Sequence, residues 1–232
     1  MAMSLPSPEE LEERTRGSLL QALLVLGAFF VGALIAVFFL PVWAPAVVES
    51  FLGSNPKAYW HLSRSSGVIA YLLLWFSAVL GLLITNKFAH LWNGGPAAAD
   101  LHGFVSLLGL AFTLFHVVIL LGDRYIRYTP LQLAIPFASV NFQPFWVGVG
   151  QIGFYLLIPI AFSFYVRRWI GHDAWRWLHY ASFIGYALTT LHSLFAGTDT
   201  RTPLMLMLYA VTGASVCYLS CYRVLTAKGA TT

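Results

Sequence analysis

Two histidines, His102 and His116, stand fourteen residues apart in the apolar stretch 98–122, and two more, His179 and His192, stand thirteen apart in 175–197. A polar ring inside a membrane-length apolar segment needs a partner, so four of them need explaining. On an α-helix fourteen residues rise by about 21 Å and end roughly 40° short of four full turns, which puts His102 and His116 on one face near opposite leaflets. Thirteen residues rise by about 19.5 Å but turn to about 220°, so His179 and His192 fall on different faces of an ideal helix. A kink, tilt or change of pitch near Gly185 is the expected remedy. A metal with one axial imidazole from each helix then fits at each leaflet. Iron in a haem meets the need: the porphyrin fills four equatorial positions and two neutral imidazoles fill the axial ones. Gly109 lies midway between the first pair and Gly185 about midway between the second, where a missing side chain lets a flat macrocycle approach the backbone. The bland alternative is a haem-free scaffold whose histidines hydrogen-bond across helices.

The chain that carries these residues has 232 residues, 59% of them apolar and 9% charged. Its mean hydropathy of +0.74 is that of a polytopic membrane protein, with no room for a separate soluble domain. The net charge of +4 comes from basic residues scattered among inter-helix segments, a membrane-topology pattern and not a nucleic-acid footprint. Cys217 and Cys221, one helical turn apart, read as small packing residues.

Six spans are expected, at 18–40, 66–86, 98–122, 145–166, 175–197 and 204–223. They give an all-α integral membrane bundle with two haems between the third and fifth helices. Residues 1–17 carry four glutamates against Arg14 and Arg16, unlike the basic start of a signal peptide, and read as a cytoplasmic surface segment. The first span is read as a retained anchor although Ala44-Pro45-Ala46 resembles a cleavage site. The haem domain occupies 18–224, and 225–232 is a short tail. The connector 41–65 closes on WHLSRSSG, and 122–144, broken by Pro130, Pro136 and Pro144, lies at the interface or caps the bundle. A kink is expected at Pro159.

With both termini on one side, that side holds Arg14, Arg16, Lys87, Arg167, Arg168, Arg176, Arg223 and Lys228, against Lys57, Arg64, Arg124, Arg127 and Arg201 on the other. The positive-inside rule makes the richer side cytoplasmic, in the cell's inner or plasma membrane. Both histidine helices then run outward, so His102 pairs with His179 at an inner haem and His116 with His192 at an outer one. Arg64 and Arg124 at the outer edge, and Arg176 at the inner, are candidates for pairing with haem propionates. His61, His90 and His172 read as solvated loop residues.

Residues 58–197 resemble the ferric reductase-like transmembrane domain family, which includes NADPH oxidases, iron reductases and the haem subunit of a bacterial sulfoxide-repair system. The resemblance rests on W-x-L-S-R-x-S-G from Trp60 to Gly67, the His102/His116 pair, and W-R-W-L-H from Trp175 to His179 with His192 thirteen further on. It implies a membrane cytochrome b, with two b haems, that passes electrons from a cytoplasmic or membrane donor to an acceptor outside. The oxygen-reducing members place a further histidine where this chain has Leu120, whereas Arg64 matches their basic residue near the outer haem. His102 distinguishes the chain from the sulfoxide-repair subunit, which commonly lacks it. The roles open to it are an electron-transfer subunit of a larger complex, or a direct transmembrane reductase of a ferric chelate or similar oxidant fed by a separate flavoprotein. The donor would be a flavoprotein, an iron–sulfur protein or a quinol-linked subunit.

The sequence contains no Gly-rich strand-turn-helix phosphate site. The purified chain should therefore fail to oxidise NADPH unaided. Rapid bleaching of NADPH absorbance with no added protein would contradict this.

Overall fold

The computed structural model describes residues 8–43, 58–86, 88, 95–124 and 126–229. Ala44-Pro45-Ala46, Lys57, Lys87 and His90 lie outside them. The described chain is helical, with no strand: α1 (Pro8–Trp43), α2 (Ala58–Thr85), α3 (Gly95–Val118), a 3₁₀ turn (Ile119–Gly122), α4 (Pro130–Ala134), α5 (Pro144–Ile170), α6 (His172–Ala196) and α7 (Pro203–Gly229).

Four segments are long and apolar enough to cross a membrane: α2, α3 with its 3₁₀ extension, α5, and Pro203–Thr226 of α7. In α1 the apolar stretch among the described residues is shorter, Leu19–Ile35. α6 is not among the four, because its two central histidines, Arg176 and paired threonines lower its hydropathy. Large apolar side chains such as Phe164, Trp177, Leu204, Met207 and Val211 face outward, as in a helical membrane protein whose surroundings are hydrocarbon. Cys217 and Cys221 are unpaired and also exposed, so they do not fill a core gap.

Several boundaries differ from the sequence reading. α2 begins at Ala58, so the whole W-x-L-S-R-x-S-G motif is helical instead of being the end of a connector. Its serines tolerate the helix because their hydroxyls turn back onto carbonyls; Ser66 Oγ donates to Leu62 O at 2.8 Å. α1 runs unbroken from Pro8, joining the expected surface segment to the first span. α5 runs to Ile170, through Pro159, and ends only at Gly171. There a φ of 82°, open to glycine at little cost, turns the chain directly into α6. α7 extends to Gly229, well into the expected tail.

Packing organises the helices as two antiparallel pairs, α2 with α3 and α5 with α6, with α1 against α3 and α7 against α2. Tyr71 on α2 joins α7 and α6 through hydroxyl contacts of 2.7 Å to Thr212 and 3.3 Å to Tyr186. Trp75 Nε1 adds a 2.8 Å bond to Ser215 Oγ. Buried polar groups paired this way brace the bundle where hydrophobic attraction between helices is absent.

Residues 126–144 fold over one end. Thr129 and Gln132 form a reciprocal capping box at the start of α4. The buried Gln151 of α5 then ties the segment down, its amide donating to Gln132 O at 2.8 Å and Leu133 O at 2.9 Å and accepting from Phe137 N at 3.3 Å. Gln151→Leu would strand three backbone groups, at about 1–3 kcal/mol for each that stays dry. It should raise amide exchange over 130–138 while leaving α2 and α3 protected, as read by hydrogen–deuterium exchange mass spectrometry.

Candidate cofactor site

On α3 the residues His102, Gly109 and His116 recur at intervals of seven, which on an α-helix drifts by only about 20° per step. All three face α2. His116 Nδ1 lies 2.6 Å from Ser63 O, and His102 Nδ1 lies 2.9 Å from Ser77 O. A carbonyl only accepts, so each Nδ1 carries the proton and each Nε2 keeps its lone pair. The Ser63 hydroxyl donates to His116 O at 2.9 Å, and Ser77 reaches His102 O through Ser106 by two 2.6 Å contacts. Each ring rests on a glycine one turn beyond its serine. A Cβ at Gly67 would stand 2.9 Å from His116 Nδ1, and one at Gly81 would stand 3.4 Å from His102 Cε1. Ser63-x3-Gly67 and Ser77-x3-Gly81 are themselves fourteen residues apart, matching the histidine interval on the antiparallel neighbour.

α6 repeats half of this. His192 Nδ1 donates to Trp146 O at 2.9 Å and lies over Gly150, where a Cβ would come within 2.6 Å of the ring. Seven residues earlier Gly185 faces the same helix, α5, but the next step of seven falls on Leu178. His179, one residue on, is turned about 100° away from that face. Its Nδ1 meets no carbonyl among the described residues; the ring stacks on Trp175, at 5.3 Å between centroids and 24° between planes. α6 is unbroken from His172 to Ala196, so its two histidines keep different backing groups and no break at Gly185 makes them equivalent.

The structure brings His102 to within 6.0 Å of His179 and His116 to within 6.3 Å of His192, between ring centroids. α3 and α6 do not pack closely along their lengths; each leans on its own partner, leaving a slot across which the histidine rings approach. A metal–imidazole bond of about 2.0 Å plus about 1.1 Å from nitrogen to ring centre, taken twice, gives about 6.2 Å. Both pairs therefore have the separation of two axial ligands on one metal. Among the described residues no three His, Cys, Asp or Glu side chains converge, so each site has two protein donors. A bare metal ion needs about four or more. The remaining positions suit a tetradentate macrocycle, and the residues fit a haem at each pair. Beside His179, the buried Trp175 Nε1 finds no acceptor among the described residues.

A cavity of about 190 Å³, open at its mouth, surrounds His116 and His192. Arg64 lines it and is ion-paired to Asp199 in the turn after α6. Tyr128, from the segment after α3, lines it too, and burial raises the pKa of its phenol above the ordinary value. Arg124 instead lines a separate recess with Tyr59, Asp123 and Arg127. Arg176 is exposed in the first turn of α6, 3.9 Å from Asp173.

The expected role of Gly109 and Gly185 is corrected. A Cβ at Gly109 would lie 3.3 Å from Leu73 on α2, and one at Gly185 would lie 2.9 Å from Leu157 on α5. Both glycines admit a neighbouring helix. The residues that sequence reasoning missed are Ser63, Ser77, Gly81, Trp146 and Gly150; the repeated S-x3-G at the histidine interval was the available signal. No family model, curated protein or solved structure matches the chain.

Gly67→Ala and Gly150→Ala should push the His116 and His192 rings off their carbonyls and halve the haem bound per folded chain. Gly81→Ala, in ordinary contact, should leave it nearly unchanged. Haemochrome assay of size-exclusion-purified variants reads the difference.

Proposed function

We propose that this chain is a two-haem membrane cytochrome b of the ferric reductase-like kind, moving electrons across the bilayer as a subunit of a larger redox complex. The observation that carries the reading is the pair of facing imidazole couples at metal-bridging separation, three of their four rings held by backbone carbonyls. His102 and His179 would hold the inner haem, and His116 and His192 the outer. Bound haem supplies a reversible one-electron change at iron. The chain's own residues fix the ring tautomers, exclude lipid from the slot and hold the two sites at opposite ends of α3 and α6.

The complete arrangement has six spans with both termini cytoplasmic, adding α1 and α6 to the four helices of clear membrane character. The exposed Arg167, Arg168 and Arg176 at the inner end suit an acidic donor protein, whose docking would weaken with salt over a screening length of about 8–10 Å. Direct reduction of a small oxidant outside is the second reading, favoured by the open mouth of the cavity beside His116, His192 and Arg64. The haem-free scaffold is disfavoured because His116 and His192 both give their Nδ1 protons to carbonyls, so in the neutral rings both Nε2 atoms are acceptors and cannot bond to each other.

Purified protein should carry two low-spin b haems per chain. His116→Ala or His192→Ala should remove one, and His102→Ala or His179→Ala the other, by haemochrome content and low-spin electron paramagnetic resonance (EPR). Folded protein without haem would end this reading, and joint loss of one haem from His102→Ala and His192→Ala would end the pairing.

A further inference from the structure

We infer that Trp175 is the positioning residue of the inner α6 ligand, doing for His179 what a backbone carbonyl does for the other three histidines. The inference rests on the two-haem reading above. His102, His116 and His192 each sit on a heptad face that meets a backing helix, where a carbonyl takes the Nδ1 proton. The thirteen-residue interval on α6 denies His179 that face. An imidazole without such a bond is free to rotate about its Cβ–Cγ bond, and a rotating ring is a weak axial ligand. The Trp175 indole, one turn earlier on the same helix, removes that freedom by lying nearly parallel to the ring.

The indole is itself clamped. Arg167, in the last turn of α5, holds its guanidinium carbon 5.4 Å from the Trp175 ring and 5.0 Å from Phe164. α5 thus grips one α6 ligand directly through Trp146 O and reaches the other through an Arg167–Trp175–His179 stack. Because carbonyl anchors belong to the backbone, side-chain substitution at Ser77 or Trp146 leaves them in place. The inner α6 ligand alone depends on a side chain.

The test uses the full chain in detergent with both haems bound, comparing wild type, Trp175→Leu and Trp175→Phe. Haem loss to excess apomyoglobin is followed at each site, the low-spin EPR signals having been assigned with His102→Ala and His116→Ala. Trp175→Leu should release the inner haem about five- to tenfold faster with outer-haem loss unchanged, and Trp175→Phe, which keeps a stacking ring, should stay within about twofold of wild type. Equal acceleration at both sites would reduce Trp175 to a general structural role and overturn the inference. Unchanged inner loss in Trp175→Leu, or equal damage from Phe and Leu, would overturn it as well. Wild-type protein lacking two haems would instead overturn the functional reading beneath it.

Discussion

The hydrogen bond from an imidazole Nδ1 to a helix carbonyl is the interaction on which this bundle turns. A carbonyl in mid-helix already accepts from the amide four residues on, and its second lone pair can take an imidazole only if the ring lies against the backbone. Behind His116 and His192 that closeness leaves no room for a side chain at the fourth residue, which is why Gly67 follows Ser63 and Gly150 follows Trp146; behind His102 the fit is looser, with Gly81 after Ser77 at ordinary contact. Once α2 and α5 hold the rings from behind, α3 and α6 are kept apart, and the slot between them follows. The connection between α5 and α6 at Gly171 is short, and 126–144 closes over one end through Gln151.

The histidine pairs were legible in the sequence because hydrocarbon makes any polar ring conspicuous. Their backing was not. Ser63 and Arg64 stand in a polar cluster that resembles the end of a loop, yet α2 absorbs it: Ser66 bonds to carbonyls of its own helix, and Arg64 finds Asp199. Trp146 contributes only a main-chain oxygen, which no residue type announces. Its glycine partner was just one of nineteen in the chain.

Gly109 and Gly185 show why position along a helix is a poor guide to facing. Each lies seven residues from a histidine that is anchored to a backing helix, and seven residues return to nearly the same face. A glycine at that interval must therefore face the backing helix as well. The slot side of α3 and α6 is instead lined by what lies off that face. The same arithmetic separates His179 from His192, and the unequal spacing that looked like a defect to be absorbed by a kink is retained as a difference in how two ligands are held.

That difference bears on the chemistry left to the rings. In the His116/His192 couple both Nδ1 protons are given to carbonyls, so both Nε2 atoms carry lone pairs and are wrong in polarity for a hydrogen bond to each other. Protonating one ring would restore polarity at the cost of an unpaired cation inside the membrane. An electrophile between the rings resolves both problems at once. Carbonyl acceptance also raises the basicity of the coordinating nitrogen, and this couple has two such contacts where the His102/His179 couple has one. The two ends of the slot are thus built alike in ring separation but unlike in how many carbonyls back the rings, an asymmetry that would set two haems apart on the proposed reading.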